Sequence, residues 1–117
     1  MTEFEAAMAS ACESTLKDVL GLSGFASTVY RLSMNGVSLH DCARRPADFD
    51  DFLSVLFNPT GATLVEGRIM KRFYRDHFAG RFQWGDGLNF DEEVRRARKA
   101  FEDQSSPHGA QHPTPDV

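Results

Sequence analysis

Two prolines, Pro46 and Pro59, each open a run of helically spaced apolar residues, and this adjacent pair of amphipathic helices limits how the rest of the chain can pack. After Pro46 come Phe49, Phe52, Leu53, Leu56 and Phe57, with Asp48, Asp50 and Asp51 in or near the first turn, where the helix dipole favours anions. Asn58 then caps a second run. In it Ala62, Val65, Ile69 and Phe73 recur at i, i+3, i+7 and i+11, while Leu64, Met70, Tyr74 and His77 widen the apolar face. A face this broad predicts a helix buried on several sides. Residues 59–78 are therefore expected at the centre of an all-α fold.

The flanking segments supply what such a centre needs. Thr2 and Glu5 form a capping-box pattern ahead of Phe4, Met8, Cys12, Leu16 and Leu20, and Gly21 offers a left-handed stop. A second helix, from Ser23 to Asn35-Gly36, would return in a short-looped hairpin with Phe25, Val29 and Leu32 on one side. Ser38 and Asp41 repeat the capping box over a piece limited to one or two turns by Arg45-Pro46. Residues 80–89 read as a loop pinned by Phe82, Trp84 and Leu88. A last helix begins near Asn89 or Phe90 and buries Phe90, Val94, Ala97 and Phe101. The expectation is a compact bundle of five to six helices over residues 1–103, with the C-terminal helix packed on the central one. Residues 104–117, with three prolines and no apolar pattern, read as a flexible tail.

With 117 residues the chain is long enough for one self-sufficient core, and its ten Phe against one Trp point to packing by rings that need no hydrogen-bond partner. The charge is −4, distributed as 4 basic and 8 acidic residues over 1–58 and 9 and 8 over 59–103. That balance excludes the concentrated positive surface of a nucleic-acid binder. No apolar run reaches the ~20 residues that span a bilayer. Cys12 and Cys42 stand at no metal-like spacing, so a reducing cytoplasm is expected.

Three constellations have chemical potential. Arg68, Lys71, Arg72 and Arg75, at i, i+3, i+4 and i+7, make one basic ridge, either answered by Asp48, Asp50 and Asp51 of the preceding helix or facing an acidic partner. Glu66 falls on the apolar face between Val65, Ile69, Phe73 and His77, so it has a structural partner or, with His77, marks a buried polar or ligand site. His40, Asp41 and Cys42 point about 100° apart and cannot share an ion, and His108 and His112 have no helix to align them. No catalytic residue, metal site or cofactor site can be named.

The Leu20-Gly21 pair, GVSLHDCARRPADFDDFLSVLF (36–57) and LVEGRIMKRFY (64–74) together resemble the small helical family called the Nitrosopumilus output domain, over roughly residues 10–78. Gly36, Val37, Ser38, Leu39 and Asp41 fit its Gly-Ile/Val-Ser-Leu-x-Asp turn, and Pro46 and Phe49 its Pro-x-x-Phe helix. Glu66, Ile69, Phe73 and Tyr74 fit its last helix, with Phe in a Leu place, and Asn58 stands where the family has Gly. The resemblance implies an all-helical module serving signal output and carries no catalytic residues. The expected function is a non-enzymatic cytoplasmic regulatory or protein-interaction module whose ridge meets an acidic protein surface, with no nucleic acid or membrane involved. A small-ligand sensor near Glu66 is the alternative, and a small enzyme the third reading.

Overall fold

The computed structural model describes residues 1–79 and 82–105. Among them the fold is all-helical, with α1 (Glu3–Met34), α2 (Asp41–Arg44), α3 (Pro46–Phe78) and α4 (Phe90–Ser105). The count is four, not five to six, because two of the expected boundaries are corners one residue wide. Gly21 (φ 76°, ψ 173°) breaks α1, and Asn58 (φ 59°, ψ 168°) breaks α3. Helix resumes at once beyond each, so no loop separates the limbs.

The two corners are built alike, in Leu20-Gly21-Leu22-Ser23-Gly24 and Phe57-Asn58-Pro59-Thr60-Gly61. A Cβ on Gly24 would lie 2.9 Å from the Leu20 Cβ, and one on Gly61 would lie 2.9 Å from the Phe57 Cβ. Only glycine at the fifth position lets the chain turn this tightly. Asn58 Oδ1 accepts the Gly61 N–H at 2.9 Å, and Pro59 has no N–H to satisfy. Across the corner, Asp50 and Glu66 meet although each is eight residues from Asn58, which is ~12 Å along its limb. The limbs of α3 therefore close at an acute angle. In α1, Lys17 Nζ lies 5.2 Å from the Phe25 ring centroid across Gly21.

Caps fix the other helix starts. Thr2 and Glu5 make the reciprocal capping box, with bonds of 3.1 and 3.2 Å, and Asn89 and Glu92 make another, at 2.8 and 3.0 Å. Between the helices lies one core of Phe4, Met8, Cys12 and Leu16 of α1, Phe49, Leu53, Val65, Ile69 and Phe73 of α3, and Phe90, Val94 and Ala97 of α4. Phe73 anchors its aromatic end, edge-on to Phe4 at 5.5 Å and 5.9 Å from Phe101.

α3 packs against all three other helices, and α4 packs on it. Its second limb is nevertheless not enclosed: Leu64, expected to widen the buried face, is 67 % exposed, and Arg68, Lys71 and Arg75 are exposed beside it. α4 runs to Ser105, two residues past the expected domain limit, and Gln104 donates to the His77 carbonyl at 3.2 Å. Residues 106–117, with His108, His112 and the rest of the predicted tail, lie outside the described residues.

Candidate functional site

The second limb of α3 carries the ridge on its outer face. Arg68, Lys71, Arg72 and Arg75 line a cleft of about 240 Å³ together with Thr15 and Asp18 of α1. The Arg72 guanidinium pairs with the Asp18 carboxylate, and Arg75 Nε donates to Asp76 at 3.1 Å. Arg68 and Lys71 have no ion pair among the described residues. The expected answer from Asp48, Asp50 and Asp51 is not made: Asp48 lies 3.6 Å from Arg45, and Asp50 faces Glu66. The Asn58 corner folds that acidic limb against the buried face of its partner limb, so the counter-charge comes instead from α1. Thr15 is buried and its hydroxyl has no hydrogen-bond partner among the described residues.

A second cleft, of about 320 Å³, adjoins the first and shares Arg68 and Lys71 with it. Its remaining wall is Thr63, Leu64, Gly67, Phe82 and Trp84. Trp84 Nε1 donates to the Leu88 carbonyl at 2.7 Å, the Phe82 ring is 5.1 Å from Tyr74 and 5.8 Å from Trp84, and the Gly85 N–H donates to the Glu93 carboxylate. Glu93 is fully buried and also accepts from Arg96 at 3.0 Å, so α4 holds the aromatic segment through one charged tether. Gly67 stands in mid-helix with nothing within 4 Å of where its Cβ would be.

Glu66 is 2 % exposed. As a carboxylate, its Oε2 would find no donor, and burial, with the hydrogen bond to Asp50 and the charge of Asp50, pushes its pKa up to about 9. At neutral pH it is protonated, and its O–H donates to Asp50. His77 lies eleven residues further on, ~16 Å along the helix, its ring 4.9 Å from Phe73 and 5.6 Å from Phe101. The two expected partners therefore do not share a site. Glu66 and His77 line none of the three clefts described.

The third cleft, of about 470 Å³, is lined by Ser33, Gly36, Val37, Ser38, Asp41, Arg44 and Arg45. Its charges answer one another. Asp41 accepts the Ser38 N–H at 2.8 Å, which is half of the expected capping box, and pairs with Arg45 at 3.0 Å and Arg44 at 3.5 Å. The Arg45 hydrogen bond holds the Asp41 carboxyl below its ordinary range. Arg45 also donates to the Gly36 carbonyl at 2.6 Å, so this group clamps the turn before α2. Cys12 and Cys42 are free and buried, and hydrogen bonding to Cys42 together with burial pushes the Cys12 thiol up.

Sequence reasoning found the ridge but missed Thr15, Asp18 and Glu93. Thr15 lies one residue before Leu16 of the α1 stripe, and Glu93 one before Val94 of the α4 stripe, which is the only signal that either carried. Among the described residues, no helix is long and apolar enough to cross a membrane. Set against family models, curated proteins and solved structures, the chain matches none.

Proposed function

We infer that the chain is a protein-interaction module whose docking face is the outer side of the second limb of α3, and that its partner presents an acidic segment with apolar residues. The observation that carries this is the pair of adjoining clefts. Arg68 and Lys71, cations with no acidic partner among the described residues, stand between them, and Leu64, Phe82 and Trp84 form an apolar wall on one side. Cations set beside the exposed Leu64 and the half-buried rings of Phe82 and Trp84 suit a segment that brings both carboxylates and apolar side chains.

Gly67 supports the same reading. Glycine in a helix interior costs roughly 1 kcal/mol relative to alanine, and no neighbour here forbids the methyl group. Its bare backbone is part of the groove lining. Stability is given up where a ligand would lie close to the helix. The signal-output role implied by the family resemblance, and the non-enzymatic cytoplasmic setting, fit a module of this kind. Two buried free thiols suit a reducing compartment. The small-ligand sensor near Glu66 has less support, since neither Glu66 nor His77 lines any of the three clefts described.

Charge reversal tests the docking face. Proteins captured from native lysate by the unmodified chain should be lost with the Arg68→Glu/Lys71→Glu variant and retained with Arg95→Glu/Lys99→Glu on α4. The interaction should also weaken as salt is raised. Identical capture by all three proteins would reject this face as the docking surface.

A further inference from the structure

The cleft between α1 and α3 has more positive charge than a carboxylate requires. We propose that it binds a phosphate group, carried on a phosphorylated serine or threonine of the docked segment; this rests on the docking reading above. Four cations line the cleft, and Asp18 is the one acid among its lining residues. A phosphomonoester carries ≈ −1.5 to −2 charges and three strong acceptor oxygens, whereas a carboxylate carries one charge. Only the former goes far towards neutralising the excess.

The donors are arranged for that shape. Arg68, Lys71 and Arg75 follow on successive turns and span ~10 Å of one helix face, from which three long side chains can reach a common point. Arg72 is held by Asp18 and so offers a guanidinium already fixed in direction. The Arg75 partner, Asp76, is its own chain neighbour in an exposed pair, which a dianion can displace at little cost. Thr15 adds a buried hydroxyl with no hydrogen-bond partner among the described residues, on a residue that lines the same cleft. A polynucleotide would need positive charge spread well beyond this spot, and the chain carries −4 overall.

Continuity between the clefts ties the phosphate to a peptide. Because Arg68 and Lys71 line both, one segment can place its phosphate between α1 and α3 while a nearby apolar side chain lies on Leu64 and Trp84.

Three degenerate peptide libraries with common acidic and apolar flanks, centred on serine, glutamate or phosphoserine, provide the test. Trp84 is the sole tryptophan and its fluorescence reports occupancy. Phosphoserine peptides should bind about tenfold or more tighter than glutamate peptides, as added charge-assisted hydrogen bonds imply. That preference should vanish in Arg68→Ala/Arg75→Ala and shrink in Thr15→Val, whose melting temperature should not fall because no hydrogen bond is lost. Equal binding of glutamate and phosphoserine peptides would overturn the phosphate site and leave the acidic-segment reading standing. Saturable, Arg68-dependent binding of inorganic phosphate with no peptide retained would overturn the peptide as its source and the docking reading with it. Absence of both kinds of binding would overturn all of it.

Discussion

A carboxyl group buried against a second carboxyl keeps its proton, and in this protein that proton sits inside α3. Glu66 titrates at about 9 when folded and at ≈ 4.3 in an unfolded chain. Between those values the native state binds more protons than the unfolded one, so this group's contribution is most favourable below the unfolded pKa and declines as pH rises towards 9. At roughly 1.4 kcal/mol per pH unit, stability at pH 7 should be lower by about 3 to 4 kcal/mol than at pH 4.5 from this group alone. Glu66→Gln keeps the shape and a donor for Asp50 but has no proton to lose. Urea unfolding at pH 5 and pH 8 should show a falling midpoint for the parent and a much flatter one for the variant. Asn58 offers a second residue-scale test. Its φ of 59° with ψ of 168° is a region almost restricted to glycine, at a cost of about 1 to 3 kcal/mol for other residues, while glycine is only a few tenths worse as a cap. Asn58→Gly should raise stability by about 1 kcal/mol, measured as the unfolding midpoint at constant m-value.

At the scale of the helical elements, three glycines separate two opposing effects. Alanine gains up to about 1 kcal/mol of helix propensity over glycine, so a Gly→Ala change stabilises wherever there is room. Gly67→Ala has room and should raise the melting temperature, while weakening whatever docks in the groove. Gly24→Ala and Gly61→Ala do not, since each new Cβ would come within 2.9 Å of a Cβ held close to the backbone. Overpacking of about 1 to 3 kcal/mol should win, and both should unfold at lower denaturant than the parent. The same corners explain what could be read from the chain beforehand. Breakers at Gly21 and Asn58 mark the ends of periodic runs, so the limbs were legible almost to the residue. The helix count was not, because a break needs only one residue of altered φ and ψ, and nothing local distinguishes that from a loop. Ridge spacing is likewise a local property and was readable. Its counter-charge was not: whether Asp18 or Asp48 faces Arg72 depends on the direction in which a corner sends the chain, which is tertiary information. Thr15 and Glu93 went unnoticed because a single polar residue beside an apolar stripe looks the same whether it faces water or the interior.

At the scale of the whole chain, the principal axes measure 53 × 29 × 22 Å, and an acidic first half is joined to a basic strip on α3. Because Arg68 and Lys71 hold no internal partner among the described residues, reversing both to Glu should change unfolding free energy by no more than about 0.5 kcal/mol. A larger loss in denaturant titration would mean that the strip supports the fold. The two corners also bear on time. Each lets its helix close on itself across a short stretch of chain, and the entropy of closing a loop grows only with the logarithm of its length. Two clasps that snap shut separately leave little for the slow search through distant pairings that delays sheet proteins. Stopped-flow refolding should therefore give a major exponential phase in milliseconds or less, beside a minor slow phase from chains whose bonds before Pro46 and Pro59 start in the cis form. A dominant phase lasting seconds would show that neither clasp can close until the other has.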